Sequence, residues 1–281
     1  MNEQRCCHSI RMMSRVLGVS RAGYYKWRNR SPGRREKRRK ILSAAVFETY
    51  HQYKKRYGAP RITRELNELG ISCSLNHVAL LLRHMGLKAR NGRNFKYSPA
   101  GSAVTNVSDN LLKRSFTAER PNEKWACDIT YVNANGKWMY LAVVMDLCSR
   151  AIVGWSLDTY MTESLVCDAL DIAVAQRDIP EGLIVHSDRG VQYRSHDYLQ
   201  KLSNHGCRIS MSRKGNCWDN APVESFFSRF KVECVYPQRY KSIDHARADI
   251  FEYIEVFYNR RRRHSAIGYM SPFQFEKLNY N

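Results

Sequence analysis

The sequence predicts two fold classes in series: small all-α, helix-turn-helix-like units, then an α/β fold built on a mixed sheet flanked by helices. Three observations predict this. Positive charge is concentrated in the front of the chain, where apolar residues recur at helical spacing between Gly and Ser turns. From residue 123 the pattern changes to strand-like alternation around an Asn135-Gly136 turn. Helical and strand-like runs then alternate, as in a sheet that carries helices on its faces.

The chain has 281 residues and a formal net charge of +20. Of its 46 Lys/Arg and 26 Asp/Glu, residues 1–122 hold 26 and 7, which leaves 20 and 19 for the remainder. A basic front on a neutral rear fits an electrostatic grip on nucleic acid better than a merely solvated surface. No basic amphipathic helix carries a strong apolar face, so an anionic membrane is a poor partner. The longest apolar run, YLAVVMDL, contains Asp146 and is far shorter than a bilayer span. Nor does the N-terminus resemble a signal peptide, so the expected location is the cytoplasm. Nine cysteines without a CxxC pair read as reduced thiols.

Residues 1–40 form the first unit. RMMSRVLGVSRAGYYKWRNR (11–30) reads as a helix, a turn at Gly18-Val19 and a second helix capped by Ser20. That second helix is expected to show Arg21, Tyr24, Lys26 and Arg28 outward, with Arg21, Lys26 and Arg28 toward DNA. Its aromatic set, Tyr24, Tyr25 and Trp27, reads as local core. SPGRREKRRK (31–40) is a basic linker. A second helix-turn-helix-like unit spans 41–97: a helix at 41–55, YGAPRI with Arg61 toward DNA, then two helices capped by Thr63 and Asn76. Leu66, Leu69, Val78, Leu81 and Leu82 are its shared core. Residues 98–122 lack periodicity and read as a linker.

The segment 123–235 is the catalytic candidate. KWACDITYV, KWMYLAVVMDL and RAIVGWSL are three antiparallel strands. ESLVCDALDIAVAQR is a helix, GLIVHSD a strand, SHDYLQKLSNHG a helix and CRISMS a strand. A loop, RKGNCWDN, enters the helix APVESFFSRFKVECVY. Residues 236–281 are a basic helical extension.

Asp128 lies inside the first strand among apolar neighbours, and Asp188 ends the fourth. A buried aspartate is costly unless paired, protonated or bound to metal. Strands one and four can lie side by side in a mixed sheet, so the two carboxylates can meet. Glu224 falls beside the apolar face of its helix, in the first turn after Pro222, within reach of the strand ends. Three crowded carboxylates repel one another, and divalent cations relieve that repulsion. Hard oxygen ligands without His or Cys at metal spacing select Mg²⁺ or Mn²⁺ over Zn²⁺. Two such ions suit in-line displacement at a phosphodiester. Taken singly, each acid also reads as a turn or cap residue.

The same residues carry a family resemblance. Asp128, Asp188 and Glu224 resemble the DDE signature of retroviral integrases and bacterial transposases. The flanking text is more specific: SRAGYYKW (20–27), YGAPRI (57–62), WACDITY (125–131), DLCSRAIVGW (146–155), HSDRGVQY (186–193), SRKGNCWDNAPVESFFSRFKVE (212–233) and YNRRRRHSAIGYMSP (258–272). Together they are similar to the second-reading-frame transposase of insertion-sequence family three, over nearly the whole chain. The resemblance implies a ribonuclease H-like core and two Mg²⁺ ions, with Mn²⁺ as substitute. It implies DNA strand cleavage and transfer at element ends, hence the terminal inverted repeats and target DNA as partners, in a bacterial nucleoid. It further implies a homo-oligomer on DNA and an upstream-frame product or fusion partner, since no leucine heptads precede the core here. Cys6, Cys7 and His8 are adjacent and cannot imitate the integrase zinc unit, so no zinc is expected. Two other activities fit the same fold: a non-catalytic DNA-binding regulator, and a simple hydrolytic nuclease.

Around the acids, Lys231 is expected two helical turns beyond Glu224, facing a substrate phosphate or solvent. Arg213, Lys214 and Asn216 sit in the loop before the helix, placed to steer a strand. Trp218 reads as loop packing or a wedge against a base. His186 is a supporting partner rather than a ligand. Arg260, Arg261, Arg262 and Arg263 are expected at a helix C-terminus, toward DNA phosphates.

Overall fold

The computed structural model describes residues 1–90, 107–213 and 217–280. The chain divides into two compact units, Met1–Lys88 and Ala89–Asn281.

The first unit is helical. α1 (Ile10–Val16) and α2 (Arg21–Arg28) flank a turn in which Gly18 takes a positive φ, and the Ser20 hydroxyl accepts from the Gly23 amide. Tyr24 is buried, whereas Tyr25 and Trp27 are exposed. That reverses two expectations: Tyr24 does not face outward, and its aromatic neighbours are not core. An eight-residue helix offers only a narrow stripe to its partner, and Tyr24 fills it. α3 (Arg34–Gln52) begins inside the presumed basic linker, because nothing from Arg34 onward breaks a helix.

α4 (Ala59–Glu68) starts at Gly58, with Pro60 in its first turn. Thr63 therefore lies within the helix, where its hydroxyl donates back to the Ala59 carbonyl instead of capping. α5 (Leu75–His84) is capped by the Ser74 hydroxyl, not by Asn76. Leu66, Val78, Leu81 and Leu82 are buried as expected, while Leu69 is 70% exposed. Leu69 is the residue at which α4 ends, and the chain turns away from the core there.

The second unit holds the sheet. Among the described residues its order is β3-β2-β1-β4-β5. The strands are β1 (Lys124–Ala134), β2 (Lys137–Asp146), β3 (Ile152–Asp158), β4 (Ile184–Ser187) and β5 (Arg208–Met211). β1 and β2 are antiparallel across Asn135-Gly136, and both turn residues have positive φ, as a two-residue hairpin of this type demands. The parallel pairs β1–β4 and β4–β5 need crossovers, supplied by α6 (Glu163–Gln176) and α7 (His196–Asn204). Trp125, Val144, Leu170, Leu202 and their neighbours form a common core between sheet and helices. Gly154 marks the closest approach of β3 to α6: a Cβ there would lie 2.2 Å from the Ala169 carbonyl oxygen.

The described part of the second presumed linker, 107–122, is irregular yet packed. Leu112 is buried, and the Leu111 amide donates to the Ser210 hydroxyl on β5. α8 (Ala221–Phe230) continues into a wide π-helical turn, Lys231–Val235. α9 (Ile243–Phe251) likewise runs into a π-helical stretch, Glu252–Tyr258, and α10 (Pro272–Asn279) follows. The two wide turns meet at a buried ion pair. Arg262 binds Glu233 through two nitrogens, at 2.7 and 2.8 Å, and the Tyr253 hydroxyl donates to the same carboxylate. No helix of the described residues is long and apolar enough to cross a membrane.

Candidate active site

β1 and β4 place the first two acids. Trp125 lies opposite Val185 and Ala126 opposite His186. The ladder ends there; Asp128 follows two residues on along β1 and Asp188 directly after β4, near enough for the charge of Asp188 to act on Asp128. Each carboxylate is steadied by a backbone amide: Ile129 donates to Asp128 at 2.8 Å and Gly190 to Asp188 at 2.8 Å. Gly190 is needed at this spot, because a Cβ would sit 2.9 Å from the Asp188 oxygen.

Glu224 arrives on the first turn of α8 and is exposed. The start of that helix is tied to β1. The β1–β4 ladder stops at Ala126, and the Cys127 carbonyl just beyond accepts from Asn220 Nδ2 at 3.0 Å. Asn220 is buried, and its Oδ1 has no hydrogen-bond partner among the described residues. The neighbouring Asp219 is clamped by Arg213 and Arg114 and also accepts from Asn110. The Arg213 hydrogen bond holds the Asp219 carboxyl well below the usual carboxylate range, against burial.

The three acids share one electrostatic problem. Burial, then the charge of Asp188, pushes the Asp128 carboxyl well above the ordinary range; Glu224 adds to the shift, while the Ile129 amide and Lys231 oppose it. Burial raises Asp188 as well, opposed by the Gly190 amide and Arg194, and burial raises Glu224. The site thus disfavours its own negative charge, which a bound cation would relieve. Its donors are hard oxygens, as a magnesium-type ion requires. Among the described residues, no three His, Cys, Asp or Glu side chains form a ready-made metal cage.

Lys231 opens the π-helical turn after α8. It is partly buried, its Nζ lies 4.3 Å from the Tyr131 ring centroid, and it senses Asp128. His186 does not support an acid as expected. Its ring bridges the Ser210 and Ser212 hydroxyls at 2.8 and 3.1 Å and so ties β4 to the end of β5. Burial holds His186 down to about 4, so it is neutral near pH 7.

The proposed DNA-contacting residues separate by exposure. Arg21, Lys26, Arg28, Arg260 and Arg261 are exposed. Arg61 is half-buried, with its guanidinium over the Tyr57 ring. Arg213 is exposed yet spends two nitrogens on Asp219. Arg262 and Arg263 must be withdrawn as DNA contacts. Both are buried, Arg262 on Glu233 and Arg263 donating to the Tyr269 carbonyl. Lys214 and Asn216 lie outside the described residues. Trp218 is 69% exposed, so it does not serve as loop packing.

Asn220 and Gly190 are missing from the reading of the sequence. Asn220 looks like an ordinary helix cap, and nothing local shows that it reaches a carbonyl 93 residues earlier. Gly190 was legible in principle, since a glycine two residues after an aspartate suits a turn closed by that side chain.

Residues 118–217 match the integrase core domain, residues 205–272 a second integrase core description, and residues 36–95 an HTH-like domain. Helix-turn-helix and integrase domains imply DNA as partner. The chain is 47% identical over 275 residues to the transposase InsF for insertion sequence IS3A of Escherichia coli strain K12, covering 96% of this chain and 95% of that one. It is 38% identical over 265 residues to the insertion element IS600 uncharacterized 31 kDa protein of Shigella sonnei, covering 94% and 97%. A solved structure of the HTLV-2 integrase catalytic core domain in complex with magnesium aligns with 55% of this chain and 96% of its own, at 16% identity and TM-score 0.41. Identity that runs end to end through the strand and helix segments bearing Asp128, Asp188 and Glu224 leaves one conclusion: the chain belongs to the IS3 family of insertion-sequence transposases and is a DDE-type transposase.

Proposed function

We propose that Asp128, Asp188 and Glu224 are the catalytic acids of DNA strand cleavage and strand transfer at the ends of an insertion sequence. The observation that supports this is the parallel β1–β4 pairing together with the charge of Asp188, which raises Asp128 against the opposing Ile129 amide and Lys231. The acids would hold two Mg²⁺ ions, or Mn²⁺ in their place, which supply Lewis-acid activation of the attacking oxygen and stabilise the leaving one.

Asp128 and Asp188 are the fixed ligands, each with one oxygen already oriented by a backbone amide. Glu224, exposed on a long side chain, completes the set from α8. Lys231 holds a substrate phosphate beside Asp128. The attacking group is water in cleavage and a DNA 3′-hydroxyl in transfer. The exposed arginines and lysine of α2, with Arg260 and Arg261, contact the phosphates of the terminal inverted repeats or the target. We place a homo-oligomer on those ends, with an upstream-frame product as a further partner.

The test is Asp188→Asn with the purified chain, its own element ends and Mg²⁺. DNA binding stays within about twofold of wild type, while cleavage falls by ~10³-fold or more, as loss of a catalytic group does. Cleavage at near wild-type rate removes the assignment.

A further inference from the structure

Beyond the three acids the β1–β2 hairpin projects two large rings that are only half covered. Tyr131 is 51% exposed and Trp138 is 52% exposed. They meet edge to face, with centroids 5.2 Å apart at 85°. Asn133 pairs with Trp138 across the hairpin and lies two residues beyond Tyr131, so these side chains share one side. Half-bare aromatic rings at a rigid hairpin are a standing cost in water unless a flat partner covers them.

A groove of about 490 Å³ runs between this hairpin and the segment after α8. Lys231, Gln238 and Arg239 line its far wall, and among the described residues no carboxylate lines it. Lys231 links the groove to the acids: its ammonium lies over the Tyr131 ring and acts on the charge of Asp128. Its inventory is therefore rings, two cations and amides, leading away from a site that handles phosphodiesters.

We propose that this groove binds unpaired DNA next to the scissile phosphate, with bases stacked on Tyr131 and Trp138 and phosphates on Lys231 and Arg239. Paired bases inside a duplex hide their faces, so rings of this kind select a single strand. Cations without carboxylates select a polyanion, and Asn133 and Gln238 supply hydrogen bonds to base edges. The proposal rests on the reading that the acids act on DNA strands, and it adds the path of the strand leaving them.

The test is binding alone, so that failure of the groove and failure of the acids are told apart. All variants carry Asp188→Asn, which prevents cleavage. The probes are a fluorescein-labelled blunt duplex of element-end sequence and the same duplex with a single-stranded tail, followed by anisotropy. The parent binds the tailed probe more tightly. Tyr131→Ala and Trp138→Ala each lose roughly tenfold on the tailed probe, the scale of one base stacked on one ring. Both bind the blunt probe within about twofold of the parent, which also shows that they are folded. Trp138→Phe recovers most of the loss, because a flat ring returns. Equal affinity for the two probes in the parent, or equal losses on both in the variants, overturns the proposal. So does an RNA tail bound more tightly than DNA, or displacement of the tail by polyglutamate of matched charge.

Discussion

Asn220 offers the sharpest test of how the acids are held together. Its Nδ2 donates to the Cys127 carbonyl at 3.0 Å, one residue before Asp128 and one helical turn before Glu224. Asn220→Ala removes that bond and strands a buried carbonyl, at ~1–3 kcal/mol. The same truncation deletes the Asn220 oxygen that has no partner among the described residues, which returns part of the cost. The net loss of stability is about 1 kcal/mol, a small shift in melting temperature for a unit of this size. The catalytic loss is larger. Freeing the start of α8 lets Glu224 drift relative to Asp128, and ~1 Å of misplacement costs about 100-fold in rate. Asn220→Asp goes further, since it sets a carboxylate oxygen against the Cys127 carbonyl and adds negative charge near the acids. The assay is single-turnover cleavage of an end-labelled element duplex at saturating DNA, with affinity measured separately. We expect a ~10–100-fold slower rate for Asn220→Ala, a slower one for Asn220→Asp, and unchanged DNA affinity for both. Wild-type cleavage by either variant refutes the reasoning, and so does a fall in rate that merely tracks a fall in affinity.

Two further outcomes follow from the same geometry. Burial and the charge of Asp188 raise Asp128, so its folded-state value lies above the unfolded one; ionising it costs the fold stability at any pH above the unfolded value near 3.9. Asp128→Asn should therefore melt higher than wild type at pH 7–8 without divalent ions, by ~2–4 °C per kcal/mol relieved, and lose that advantage below about pH 4, while cleaving nothing; a lower melting temperature at pH 7 sinks the account. Gly154→Ala drives a methyl into the Ala169 carbonyl oxygen at 2.2 Å and the Ala173 Cβ at 2.7 Å, so β3 and α6 must separate. The expected cost is ~1–3 kcal/mol or more, read as a lower urea midpoint, and an unchanged midpoint contradicts the close approach.

The sheet was legible because the first strand alternates, the others are short apolar runs, and Asn135-Gly136 fixes the first hairpin. The sequence left strands one and four free to lie side by side, and the structure pairs β1 with β4 in parallel. Legibility failed where one residue has two uses. A run of four arginines reads as solvent-facing, yet Arg262 and Arg263 turn inward because Glu233 and the Tyr269 carbonyl need donors. Thr63 reads as a cap, but Gly58 and Pro60 start the helix earlier. The wide turns after Phe230 and Phe251 leave no mark in the sequence, because α and π turns demand the same residues. His186 was placed in the right strand, but its partners were not legible, since Ser210 on β5 and Ser212 just after it lie more than twenty positions downstream.

The Arg262–Glu233 pair has a consequence for synthesis. The helix that bears Glu224 ends in a carboxylate that is nearly dry, and its counterion is encoded 29 residues later. Until that arginine is translated, the nascent helix must either keep Glu233 hydrated or carry an uncompensated charge, at several kcal/mol. A chain that ends before Arg262 therefore leaves the carboxylate just past the Glu224 helix without its counterion, and the elements packed around that carboxylate lose the pair that ties them together.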